Sequence, residues 1–250
     1  IRSLTMQYSS LQRSMVAGSR VFGLLDTQTE VQDGSDAISC ELLGNISFEQ
    51  VSLAYKPGEF VLQNVTLNIK QGETVAVVGP SGAGKTSLVA CLIRLYDVSS
   101  GRILFDGVDL NDIKRDSVVS QIGVVPQEPY LFSGTVEENI RFGRSDTTYE
   151  EIKRATEIVG AYEFIDKLDN GFGTYLQERG GNLSIGQRQL ICMARAVVGE
   201  PKILILDEAT ANIDTYSESL IQKSLNAMLR NRTAVIIAHR LSTVRGADRI

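Results

Sequence analysis

The spacing of hydrophobic and polar positions changes along this chain, and each rhythm predicts a different element. Within residues 1–25, Leu4, Tyr8, Leu11, Met15, Gly18, Phe22 and Leu25 recur at steps alternating four and three. That spacing puts them on one narrow stripe of a helix, suited to lying on its own domain or on a partner helix. The stretch from Asp26 to Asp36 is polar and holds a glycine, so it reads as a linker, with the folded domain expected from Ala37 to Ile250. Two-residue alternation then appears at Ile46 to Ala54 and at Val65 to Ile69, on either side of a Lys56-Pro57-Gly58 turn signal. Antiparallel strands are expected there.

From Thr74 onward, short apolar runs alternate with helical patterns. Thr74 to Val78, Ile122 to Val125, Lys202 to Leu206 and Thr233 to Ala238 read as strands, and a strand pair around Arg102 to Phe105 is closed by Asp106-Gly107. Helices are predicted at Ser87 to Leu95, between Thr148 and Lys167, at Ser184 to Val198 and at Ser217 to Leu229. This alternation predicts an α/β fold whose mostly parallel sheet is covered by helices.

Composition removes several alternatives. With 250 residues and 43% apolar content the chain can bury a large core, which favours one composite domain. No apolar run approaches membrane-spanning length and no secretory signal opens the sequence, so it reads as soluble. A net charge of −5 and the lack of a Lys/Arg cluster argue against a nucleic-acid face. Cys40, Cys91 and Cys192 are widely spaced and show no paired ligand spacing, which fits reduced structural thiols.

The chemistry concentrates at Gly79-Pro80-Ser81-Gly82-Ala83-Gly84-Lys85-Thr86, a G-x-x-x-x-G-K-[ST] match directly behind an apolar strand. Its glycines let backbone N–H groups turn inward on phosphate oxygens. Lys85 supplies a mobile charge for the β- and γ-phosphates and Thr86 a hydroxyl for Mg²⁺, while the following helix, with Ser87 in its first turn, points its positive end at the same anion. A second element is Ile203-Leu204-Ile205-Leu206-Asp207-Glu208, a buried strand that delivers two carboxylates at its C-terminal end. Asp207 is placed to hold Mg²⁺ or its water shell, and Glu208 to polarise an attacking water. A third is Leu183-Ser184-Ile185-Gly186-Gln187. Here S-x-x-Q forms a capping box that would start a helix with or without a ligand, and the same N-terminus suits a phosphate.

These residues resemble the ATP-binding cassette family, from about Tyr55 to the end of the chain. The family signature L-S-G-G-Q is matched at Leu183 to Gln187 except at Ile185, where glycine is usual. The resemblance implies a P-loop NTPase core with a mostly parallel sheet, an antiparallel β subdomain and a helical signature subdomain. It implies ATP and Mg²⁺ as ligands, with Tyr55 stacking on adenine, Gln127 linking Mg²⁺ to a transmembrane partner, and Ala211 to Asp214 forming the D-loop. His239, the only histidine, resembles the switch residue that contacts the γ-phosphate.

Two cassettes of this family pair head to tail, each ATP lying between one phosphate loop and the other's Ser184, Gly186 and Gln187. The expected partners are therefore a second cassette, identical or different, and the transmembrane domains of a transporter at the cytoplasmic face of a membrane. Thr174 to Gly181 resembles the loop that touches transmembrane helices in exporters, and residues 1–36 look like the cytoplasmic end of a last transmembrane helix with its linker. Tyr130, Leu131 and Phe132 form either an exposed docking surface or part of the core. Family members continue past Ile250 with a further strand. The alternative reading is a regulatory nucleotide-binding module with little hydrolysis, in an asymmetric pair.

Overall fold

A computed structural model describes residues 2–27, 31–207, 215–238, 244 and 246–250, with the backbone alone for 2–6, 9 and 215–218. The chain divides into two compact units, 1–32 and 33–250. The first holds helix α1 (Arg2–Leu25), which runs through Gly18 without a break. Of the predicted stripe, Tyr8, Leu11, Met15, Phe22 and Leu25 are all exposed.

The second unit opens with strands β1 (Ile46–Lys56) and β2 (Glu59–Ile69), joined by the tight turn at Pro57-Gly58. Strand β2 starts at Glu59 rather than at Val65. Its first half is carried by pairing with β1, from Lys56↔Glu59 onward, and not by burial: Phe60 and Val61 are exposed, so the apolar alternation is weak there. Then come β3 (Thr74–Val77), helix α2 (Lys85–Leu92), β4 (Ser100–Phe105) and β5 (Val108–Asp109). Strands β2, β1, β4 and β5, in that order, form an antiparallel sheet.

Helix α2 begins at Lys85 and ends at Leu92, two residues earlier and three residues shorter at its ends than the expected span from Ser87 to Leu95. Arg94 has φ of 51°, its N–H donates to the Cys91 carbonyl and the Leu95 N–H to that of Ala90. This left-handed residue closes the helix in a Schellman arrangement.

Next are α3 (Arg115–Val119), β6 (Ile122–Val125), β7 (Gly134–Thr135), α4 (Val136–Arg141), α5 (Tyr149–Ile158) and α6 (Tyr162–Asp166). They are followed by β8 (Tyr175–Leu176), α7 (Ile185–Val197), β9 (Ile203–Asp207), α8 (Thr215–Leu229) and β10 (Thr233–Ile237). Strands β3, β10, β9 and β6 form a wholly parallel sheet, and β7 pairs with β8. Sequence periodicity missed α3, α4, β7 and β8. For α4 a local signal existed: Thr135 Oγ1 accepts from the Glu138 N–H and Glu138 Oε2 accepts from the Thr135 N–H, a T-x-x-E capping box.

The parallel sheet separates two cores. Leu204 and Leu206 of β9, with Ala234 and Ile236 of β10, pack among α4 to α8. Ile203, Ile205, Val235 and Ile237 face the other way, onto α2 and the antiparallel sheet. Because successive strand residues point to opposite faces and both faces of β9 are covered, its positions from Ile203 to Leu206 are all apolar and buried. The continuous hydrophobic run before Asp207 has this cause.

Candidate functional site

Strand β3 feeds the glycine-rich loop, which leads directly into α2. The loop, the start of α2, the end of β6 and the ends of β9 and β10 surround a cleft of about 500 Å³ lined by Val61, Ser81, Gly82, Gly84, Lys85, Thr86, Ser87, Gln127, Asp207 and Ile237. Gly84 occupies the N-cap of α2 with φ of 88°, and no side chain caps that end. A Cβ at Gly84 would lie 2.8 Å from Leu62 Cδ2 and 2.9 Å from the Val61 carbonyl oxygen, so the close approach of β2 as well as the backbone angle requires glycine. Lys85 is 8% exposed, and its Nζ donates to the carbonyls of Gly79 at 2.8 Å and Pro80 at 3.0 Å. Its ammonium is thus held at the loop rather than extended into solvent.

Ser81, Gly82, Gly84, Lys85, Thr86, Ser87, Gln127 and Asp207 thus share one cleft. Pro80, Gly79 and Ala83 belong to the same loop without lining it. Tyr55, at the end of β1, is half exposed, its hydroxyl lies 3.0 Å from Ser87 Oγ and its ring meets Tyr96 edge-on at 4.9 Å. Val61 and Ile237, which sequence reasoning did not single out, form the apolar part of the wall. A local signal for Val61 existed: Phe60-Val61-Leu62 is a short apolar run one residue past the Pro57-Gly58 turn. Asp207 and Ile237 are paired across β9 and β10, and in sequence Glu208 follows the first directly and His239 follows the second by two residues. Glu208, His239, Asp214 and the segment from Ala211 lie outside the described residues.

The signature-like segment does not join this cleft. Ser184 caps α7, with its Oγ accepting from the Gln187 N–H at 3.2 Å and Gln187 Oε1 accepting from the Ser184 N–H at 3.0 Å. Ser184, Gly186 and Gln187 instead border a separate hollow of about 420 Å³ floored by Phe164, Leu190 and Leu220. Ile185 is 43% exposed at the first turn of α7.

The segment from Pro126 to Phe132 divides between the two expectations. Leu131 is fully buried, whereas Tyr130 and Phe132 are exposed. Phe132 stacks on Phe142 at 4.3 Å, and the Arg195 guanidinium lies over both rings at 5.7 and 5.5 Å. Burial lowers the pKa of Arg195, which donates to the carbonyls of Asn139 and Tyr130. The Arg179 N–H donates to the Leu131 carbonyl at 3.0 Å, tying the loop ahead of α7 to this segment. All three cysteines are free, and burial is the leading cause that raises each thiol, Cys91 up to about 11.

Left-handed glycine at the start of α2, a lysine held in the loop, a hydroxyl and a strand-end carboxylate in one cleft define a phosphate-loop nucleotide-binding domain. The family model described as "ABC transporter" matches residues 62–211, and the chain belongs to the ABC transporter family. It is similar to an ABC transporter ATP-binding protein of Bacillus subtilis named YknV, at 47% identity over all of this chain and 42% of the relative. A fatty acid ABC transporter ATP-binding/permease protein of Mycobacterium bovis is 44% identical over all of this chain and 40% of its own length. An ATP-dependent lipid A-core flippase of Desulfotalea psychrophila is 42% identical over all of this chain and 44% of its own length. The fold superposes on a bacterial Atm1-family ABC exporter with ATP bound, with a TM-score of 0.85 and 36% identity over 98% of this chain and 43% of that one. The chain therefore spans less than half the length of these relatives.

Proposed function

We propose that this chain binds ATP in the loop cleft and hydrolyses it as the motor of an exporter whose membrane segments lie outside the sequence. The observation that carries this reading is the convergence of Lys85, Thr86, Gln127 and Asp207 on one cleft, a donor set that fits a polyphosphate with a divalent cation. Mg²⁺, when bound, neutralises charge on the β- and γ-phosphates, and Thr86, Gln127 and Asp207 are the residues that would hold it. Loop N–H groups and Lys85 bind and orient the phosphates. Glu208 orients and polarises the attacking water, and His239 contacts the γ-phosphate. Tyr55 presents its ring to the base, and its contact with Ser87 fixes that ring relative to α2.

The separation of Ser184, Gly186 and Gln187 from the phosphate cleft supports a site completed by a second cassette. The α7 N-terminus of one copy then closes on the nucleotide of the other, with Asp214 at the junction. Binding joins the pair and hydrolysis releases it, so the conformational change does work on attached membrane domains. The exposed rings of Tyr130 and Phe132, beside the loop tied by Arg179, suit docking of those domains. Among the described residues no helix is long and apolar enough to cross a membrane.

The test is ATP turnover by the full-length, membrane-linked protein, native against Glu208→Gln. Turnover should collapse while MgATP binding persists; unchanged turnover removes Glu208 from the assigned role. A second reading, a regulatory cassette with little hydrolysis, draws on the branched Ile185 exposed where the family has glycine. It predicts negligible turnover in the native protein as well.

A further inference from the structure

Arg94 holds a backbone conformation that ordinarily selects glycine or asparagine: the left-handed residue that closes α2. The arginine that stands there is anchored by its side chain. Its Nη1 donates to Asp33 Oδ1 at 2.9 Å and to the Ile113 carbonyl at 2.8 Å, and its Nε lies 3.5 Å from Asp97 Oδ1. The Arg94 side chain is 3% exposed, so this guanidinium is withdrawn from solvent. Asp33 in turn accepts the Arg115 N–H at 3.0 Å on the same Oδ1. One carboxylate oxygen therefore joins the far end of α2 to the start of α3.

The position of Asp33 gives this joint its meaning. It is the first residue of the compact second unit, the point where the chain arriving from α1 becomes part of the domain. Past it, Ile38 pairs with Ile113, and Cys40 and Leu42 bond to Ser117 and Gln121. The incoming chain is thus laced along the segment that follows β5, with Asp33 as its outermost stitch. At the other end of α2, Lys85 and Thr86 line the cleft. The helix between is buried along nearly its whole length, packed tightly enough to pass a displacement from one end to the other.

We propose that Asp33 and Arg94 form a linchpin through which occupancy of the phosphate cleft is felt by the chain that enters the domain from α1. Arg94 is a positioning residue: it does not touch the cleft but fixes the tail of the helix whose head does. A tilt or tightening of α2 on nucleotide binding acts on Asp33 through Arg94, at the residue where the second unit begins. This rests on the reading of the cleft as an ATP site.

The experiment is hydrogen exchange on the full-length protein with and without MgATP, following residues 31–38 and residues 80–88 separately in the native protein, Asp33→Asn, Asp33→Glu and Arg94→Lys. In the native protein MgATP should slow exchange in both segments, by about fivefold or more, the low end of ordinary coupling between sites. Asp33→Asn should keep the response at 80–88 and lose it at 31–38, with Asp33→Glu restoring it in part. A response at 80–88 with none at 31–38 in the native protein overturns the proposal, as does a response at 31–38 that survives Asp33→Asn unchanged. No response at 80–88 in the native protein instead overturns the ATP-site reading. Should Asp33→Asn fail to fold, Arg94→Lys, which keeps the charge and loses the fork, carries the same comparison.

Discussion

Helices α2 and α7 both begin at an anion-receptive N-terminus, yet they are built in opposite ways. The start of α2 has a left-handed glycine and no side-chain cap, and nearly all of the helix is buried. The start of α7 is closed on itself by the Ser184–Gln187 capping box and stands at the surface, with Ile185 exposed beside it. A helix that satisfies its own first turn folds without a ligand. One that leaves its N–H groups to the cleft is completed by what binds there. The contrast matches the proposed division of labour, in which α2 grips a nucleotide within its own chain and α7 is a rigid surface offered to another.

The strongest way to break this comparison is Lys85→Ala. The MgATP-dependent rise in melting temperature should vanish and turnover should fall about 10²-fold or more; a preserved thermal shift would mean that the head of α2 does not hold the nucleotide. Next is Gly84→Ala, where the left-handed angle and the approach of Leu62 and Val61 predict a loss of about 1–3 kcal/mol in urea denaturation without ligand. Ser184→Ala should cost about 1 kcal/mol, equally with and without MgATP in the monomer, while Ser184→Thr should be nearly neutral. If Ser184→Ala instead abolished the nucleotide response of an isolated monomer, α7 would belong to the cis cleft.

The smallest effect is a pH dependence at the α2 helix itself. Burial, with Asp97 adding to it, lifts the Cys91 thiol of α2 to about 11 from an ordinary 9.0. The folded state then keeps its proton where the unfolded chain loses it. Its contribution to stability is complete below pH 9 and declines as pH rises toward 11. Comparing urea midpoints of the native protein and Cys91→Ala across that window should show a shallower alkaline decline in the variant.

The legible parts of the molecule were those whose signals are local. β9 announced itself because both of its faces are buried, and α7 because an amphipathic pattern follows a capping box. The first half of β2 was hidden because an edge strand held by ladder bonds need not alternate, and Val61 was missed with it. β7 and β8 are two residues each, too short for any period to register. The early end of α2 was illegible for another reason. Arg94 stands in a left-handed position with its side chain anchored on Asp33, 61 residues away in sequence, and no short window along the chain contains both.

The alternation within β9 and β10 has a consequence for how such a chain can change over time. Neighbouring residues of one strand answer to different interiors, so a substitution at Leu204 or Ile236 is felt by the helical side and one at Ile205 or Val235 by the nucleotide side. The sheet works as a party wall. Either household can be refurnished by matched apolar swaps on its own side, while the end of the wall, with Asp207 on it, stays where it is.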